Sequence, residues 1–156
     1  MPIPEFIVRL REKIGHDPLW LPGVTAVVTD PGDRLLLVRR ADDGRWTPVT
    51  GIVDPGEEPA VAARREVAEE AGVECVVERL ASTAVTGPVQ YENGDLATYL
   101  DLTFACRWVS GTAHVADDES TDVGWFARDA LPAMDAEFLQ RISAALDGGP
   151  EATFVR

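Results

Sequence analysis

The sequence predicts a single domain of the α/β class, with its strands and helices mixed in α+β order, and three observations predict it. Apolar runs of strand length, Val24–Thr29 and Arg34–Arg39, flank the turn-forming stretch Asp30-Pro31-Gly32-Asp33. Helical spacing marks segments near both ends and in the middle of the chain. Finally, 156 residues with 46% hydrophobic content suffice for one core and give no sign of a second.

Each element follows from local chemistry. Phe6, Ile7, Leu10 and Ile14 recur at helical spacing, predicting an amphipathic helix over residues 4–15 that His16-Asp17-Pro18 ends. Residues 1–20 are thus a helical extension, available for an interaction role. The two apolar runs after it form a hairpin. Gly51 to Glu57 is a loop, because Pro55 and two glycines break any periodicity. A helix is expected over residues 58–71, with Pro59 in its first turn and Gly72 as its left-handed stop. Cys75–Ala84 and Leu96–Trp108 read as strands; Thr98, Leu100, Leu102 and Phe104 share one face of the second, and Tyr99, Asp101, Thr103 and Ala105 the other. Between them, Thr86 to Asp95 holds two glycines, a proline and an asparagine and is a candidate substrate loop. Phe138, Leu139, Ile142 and Leu146 predict a last helix over 135–147, before a tail, residues 148–156, expected to be mobile. Residues 21–147 form the domain proper. No internal repeat or low-complexity segment interrupts it.

Chemistry concentrates in one 23-residue pattern, Gly51 to Val73, of the form G-x5-E-x7-R-E-U-x-E-E-x-G-U with U aliphatic. A random match has a probability of about 10⁻⁹ per starting position. Glu66, Glu69 and Glu70 stand at i, i+3 and i+4, an arc of about 100° on one side of a helix. Like charges at these spacings are mutually destabilising, so a cation should compensate. Carboxylate oxygens suit a hard divalent ion, Mg²⁺ or Mn²⁺, better than Zn²⁺. The other side of the helix, Val61, Ala63, Val67, Ala68 and Ala71, is small and apolar enough to lie close on a sheet, with the carboxylates facing a cleft. Arg65 lies beside the arc, where a bidentate pair would orient Glu57 or Glu69.

Composition narrows the partners. A net charge of −13, with Lys13 the only lysine, argues against a nucleic-acid polymer, whereas a small phosphorylated substrate remains open because metal ions supply positive charge locally. Cys75 and Cys106 fall in apolar stretches and read as buried free thiols. His16 and His114 lack the spacing and partners of a zinc site. With no basic-then-apolar leader and no apolar run near ~20 residues, the expectation is a cytoplasmic protein that does not span a membrane.

The segment Gly51–Val73 resembles the Nudix box, the signature of the Nudix hydrolases, at every constrained position. Weaker agreement comes from the preceding LLLVRR run, from Trp46 and Pro48, and from an acidic loop before Trp125-Phe126. One departure is Pro48-Val49-Thr50-Gly51, where many members carry Pro-Gly-Gly; it bears on the backbone near the substrate's phosphates. The resemblance covers residues 22–133 and implies a mixed β-sheet sandwiched between helices. It also implies Mg²⁺- or Mn²⁺-dependent hydrolysis of a nucleoside diphosphate linked to another moiety. Glu66, Glu69 and Glu70, with Gly51, would hold the metal, and Glu66, Glu69, Arg65 and Glu119 would serve catalysis, with Glu57 supporting them. The general base is either Glu66 or Glu119; Glu119 reads equally as part of a solvated acidic loop. Arg39 and Arg40 are solvent-exposed strand-end residues or phosphate clamps, and Trp46 is a core residue or a base-stacking one. Pro88 resembles the marker of the ADP-ribose pyrophosphatase branch, and Tyr91 that of the diadenosine polyphosphate branch. The balance leans to ADP-ribose or a nucleotide sugar, ahead of nucleoside triphosphates and dinucleoside polyphosphates. Two other classes share the fold. An isoprenoid diphosphate isomerase needs a catalytic cysteine in a cleft, and a non-catalytic ligand sensor usually loses box carboxylates. A homodimer is expected from the family's habit of pairing.

Overall fold

A computed structural model describes residues 3–156. Its elements run α1 (Glu5–Ile14), β1 (Leu19–Thr29), β2 (Leu35–Arg40), β3 (Trp46–Thr47), β4 (Val49–Ile52), α2 (Pro59–Ala71), β5 (Glu74–Gln90), β6 (Leu96–Ser110), β7 (Ser120–Phe126) and α3 (Ala136–Asp147). The first helix ends where the Gly15 N–H bonds to Arg11 O, just ahead of the expected His-Asp-Pro stop.

The turn after β1 closes as its chemistry dictates: the Asp30 carboxylate accepts the N–H groups of Gly32 and Arg34 at 2.9 and 2.8 Å. The hairpin it begins does not persist, however. Thr29 pairs with Leu35, and then the strands diverge. β2 continues antiparallel to β3 and β7, whereas β1 pairs antiparallel with β4 and parallel with β6 along its whole length, Leu19 opposite Ala97 through Thr29 opposite Arg107. The sheet is therefore mixed, ordered β3-β2-β1-β6-β5, with β4 also on β1 and β7 on β2.

Alternation along β1 places helices on both faces. Val24, Ala26 and Val28 pack under Ala62, Ala63, Val67 and Ala71 of α2, in a core that also holds the free thiols Cys75 and Cys106. Val27, with Leu35, Leu37 and Ala81, meets Ile142 and Ala145 of α3 on the opposite face. Ile7 of α1 joins Leu21 and Ala97 in a smaller cluster. One polar network interrupts these apolar layers: Arg141 of α3 donates to Thr25 Oγ1 at 3.0 Å, and Thr25 and Thr103 donate to the Asp101 carboxylate at 2.7 and 2.6 Å.

Three local expectations change. The apolar stripe of α2 is Ala62, Ala63, Val67 and Ala71 rather than one including Val61, which is 53% exposed. Thr86 to Asp95 is not an open loop. β5 continues through Pro88 to Gln90, and a tight turn, closed by Tyr91 N–H to Asp95 O, leads into β6. Glycine and proline are absorbed there as a register shift between Thr86 and Val89 instead of ending the strand. The tail is fastened at one point, where Thr153 exchanges backbone hydrogen bonds with Ala81 and Thr83. Among the described residues no helix is long and apolar enough to cross a membrane.

Candidate active site

Helix α2 carries the site, and its register explains the site's character. Ala62, Glu66 and Glu70 lie on one line at i, i+4 and i+8, so burying the alanine draws both carboxylates inward. Glu66 is 1% exposed and Glu70 4%, while the Glu69 side chain stays 40% exposed at the rim. The three therefore do not face an open cleft equally, because two of them belong to the packed face.

Space for Glu66 comes from β4. Gly51 lies against its carboxyl group so closely that a Cβ there would stand 2.1 Å from Glu66 Cδ. At the other end of α2, Gly72 has φ +66° and its N–H bonds to Ala68 O, with the His114 ring packed over it. His114 and Ala116 also donate backbone hydrogen bonds to Ala71 O and Glu70 O, which pins the acidic loop of residues 111–119 along the helix end. Glu119 is thereby brought to Glu70.

Arg65 ties the arc together. Its Nε and Nη2 each donate to the Glu57 carboxylate at 2.9 Å, Nη1 donates to Glu66 Oε1 at 2.8 Å and to Glu69 Oε2 at 3.2 Å, and Nη2 also reaches Ile52 O at 3.1 Å. Glu57 in turn accepts the Asp54 N–H at 3.1 Å. The hydrogen bond from Arg65 holds Glu57 below the usual carboxylate range, and the same bond raises Arg65 itself. Glu66 and Glu70 go the other way. Burial pushes Glu66 up to about 7 despite Arg65, and burial together with the neighbouring Glu119 charge pushes Glu70 up to about 8. Glu119 is raised as well, chiefly by burial, while the Arg40 charge opposes the rise.

These residues fit a divalent cation. Among the described residues, Glu66 Oε2 and Asp117 Oδ2 are buried without a hydrogen-bond partner, and Glu70 Oε2 has Ser120 Oγ at 3.1 Å. A hard cation would satisfy such unused carboxylate oxygens, and it would replace the proton that burial favours on Glu66 and Glu70. No three His, Cys, Asp or Glu side chains of the described residues close into a finished cage. An ion of Mg²⁺ type needs only one or two carboxylates from the protein, its other positions going to water and substrate phosphate.

The expected substrate residues divide. Arg40 lies close enough to Glu119 for their charges to interact, although its guanidinium grips Asp42 through Nε at 2.9 Å and Nη2 at 2.6 Å. Tyr91 hydroxyl pairs with that of Tyr99, which packs over Gly23 beside Gly51. Arg39 is exposed and bonds to Gly44 O, and Pro88 is exposed on β5. The Trp46 ring meets Phe126 edge-on at 4.9 Å, beside the α3 core. Sequence reasoning missed Ser120, which supports Glu70. It also missed α1, which borders the cleft over Glu66 and Glu69. No local signal marks either, since both contacts join distant segments.

The fold and this site define a hydrolase of phosphorus anhydrides built on a box helix. A NUDIX domain model matches residues 19–146, and the chain belongs to the Nudix family. It is 35% identical over 135 residues to a MutT-like protein of Streptomyces ambofaciens, covering 85% of this chain and 82% of that one. It is 33% identical over 131 residues to the human 8-oxo-dGDP phosphatase NUDT18, covering 80% of this chain but only 36% of that protein. Among solved structures, a NUDIX hydrolase from Nitrosomonas europaea superposes with a TM-score of 0.66 at 26% identity, over 83% of this chain and 90% of that one.

Proposed function

We propose that this Nudix hydrolase is a divalent-metal-dependent pyrophosphohydrolase acting on a small nucleoside diphosphate derivative, with ADP-ribose and nucleotide sugars the first substrates to expect. One observation carries the reading: Glu66 and Glu70 are buried carboxylates of raised proton affinity, and Glu66 lies against the Gly51 cradle with its Oε2 lacking a hydrogen-bond partner. Glu66, Glu69 and Glu70, with the Gly51 backbone, would hold Mg²⁺ or Mn²⁺. When bound, the ion supplies a lowered water pKa and neutralises charge on the phosphoryl oxygens.

The chain's own groups do the rest. Arg65 fixes Glu57, Glu66 and Glu69 in one orientation, so the arc costs little reorganisation when ligand arrives. The general base is Glu66 or Glu119: Glu66 Oε1 meets Arg65 while its Oε2 has no hydrogen-bond partner, and Glu119 would take the proton of the attacking water at its carboxylate. Burial raises its affinity for that proton, in the direction a base working near neutrality needs. Arg40 interacts with the Glu119 charge and would be a phosphate contact once its guanidinium leaves Asp42.

The test is release of phosphate or nucleoside monophosphate from nucleotide sugars, ADP-ribose, dinucleoside polyphosphates and nucleoside triphosphates with Mg²⁺. At least one substrate should turn over, and Glu70→Gln should lower its rate on the order of 10²-fold or more. Cation binding without turnover of any diphosphate would defeat the reading in favour of a ligand sensor or an isomerase.

A further inference from the structure

The cleft over the carboxylate arc, about 620 Å³, has two walls of opposite chemistry. One is Arg65, Glu66 and Glu69 of α2; the other is Ile3, Phe6 and Val8 at the N-terminal helix. That second wall precedes residues 19–146, the span matched by the family model. It is also firmly attached. Ile7 is 5% exposed in its cluster with Leu21 and Ala97, and Phe6 packs on the same cluster beside Ile52. Arg11 donates to Leu96 O at 2.9 Å and pairs with Asp95 at 3.4 Å, and His16 Nδ1 contacts the same Asp95 at 2.8 Å, clamping α1 to the tip of the β5–β6 hairpin.

The wall is apolar where it borders the cleft. Ile3 and Val8 remain 53% and 44% exposed, and Glu5, the charged residue among them, is turned to its own ion pair with Arg9. A ligand lying between the walls meets Glu66, Glu69 and Arg65 at one end and, on the α1 side, Ile3, Phe6 and Val8 with Glu5 the one charged neighbour. A sugar hydroxyl gains no partner from Ile3, Phe6 or Val8, whereas a planar heterocycle stacks on an aromatic face with about 1–3 kcal/mol.

We propose that α1 is the specificity wall of the active-site cleft, with Phe6 stacking on the nucleobase of the substrate whose diphosphate end lies at the Glu66–Glu69 arc. The proposal rests on the hydrolase reading for the anionic end only. Phe6 is a positioning and specificity residue and takes no part in proton transfer.

The test is equilibrium binding by titration calorimetry, in Mg²⁺, of AMP or GMP and of ribose 5-phosphate to the wild-type chain, Phe6→Ala and Phe6→Leu. None of these ligands needs turnover to be measured, so a failed hydrolase reading leaves the result intact. Wild type should favour a nucleoside monophosphate over ribose 5-phosphate, and Phe6→Ala should erase about ten-fold of that preference while ribose 5-phosphate changes less than about two-fold. Phe6→Leu keeps apolar bulk in the α1 cluster, so it tests the ring even where the alanine variant fails to fold. With a substrate in hand, Phe6→Leu should raise KM with kcat held within about two-fold, as expected for lost uniform binding. Equal wild-type affinity for the two ligands, or equal loss of both in Phe6→Leu, would overturn the proposal.

Discussion

At position 51 a methyl group has nowhere to go, since its Cβ would lie 2.1 Å from Glu66 Cδ and 2.3 Å from Glu66 Oε1. Gly51→Ala should therefore displace the carboxylate most deeply involved in the arc, not merely strain a loop. Overpacking of this kind costs about 1–3 kcal/mol, and the displaced group can relax only by leaving Arg65. The expected outcome is a lower melting temperature and at least about ten-fold weaker Mn²⁺ affinity by titration. Gly149→Ala, where a Cβ meets nothing within 4 Å, should change neither. A Gly51→Ala chain with unaltered cation affinity would show that Glu66 does not depend on the cradle. Arg65 is equally specific in shape. Its planar fork spans Glu57, Glu66, Glu69 and Ile52 O at once, a set that a lysine ammonium cannot span.

The elements differ in how far they could be read in advance. Helix α2 was legible because its signals are local: Pro59 at its start, Gly72 at its end, and charges at i, i+3 and i+4 between them. What periodicity did not give was which line of α2 would be buried. Small alanines lie on several faces, and the sheet selected the Ala62–Glu66–Glu70 line. The first hairpin was half legible, its turn set by Asp30 but its strands claimed by partners far along the chain. Parallel pairing of β1 with β6 joins residues 78 apart, as at Leu19 and Ala97, and no local pattern announces it. The same holds for Arg141 and Thr25, 116 residues apart, whose network with Asp101 locks α3 to the sheet. Arg141→Met leaves Asp101 buried without its cation, and such broken pairs cost about 3–5 kcal/mol. Urea denaturation should show that loss, and adding Asp101→Leu to the same chain should recover most of it. A double variant no more stable than the single one would mean that the loss does not come from leaving Asp101 buried without its cation.

For the molecule as a whole, stability, pH and cation binding are one linked equilibrium. Folding raises Glu66 from 4.5 to about 7 and Glu70 from 4.5 to about 8, so between those limits the folded chain holds protons that the unfolded chain has released. Stability of the metal-free protein therefore falls as pH climbs from about 4.5 towards 8, and Glu119, also raised, adds to the fall. Carboxylates held low by arginines, Glu57 and Asp42, act with the opposite sign, but their window lies below the ordinary carboxylate pKa and does not overlap. A cation binding the ionised arc displaces those protons and reverses the cost. In a chelator, the melting temperature should drop by about 5 °C or more from pH 5.5 to 8. Saturating Mg²⁺ or Mn²⁺ should restore it at pH 8 and add much less at pH 5.5, where binding must first expel the protons. Differential scanning fluorimetry at the two pH values, with and without the ion, measures both halves of the linkage. A cation shift of the same size at both would mean that the ion sits elsewhere than on Glu66 and Glu70.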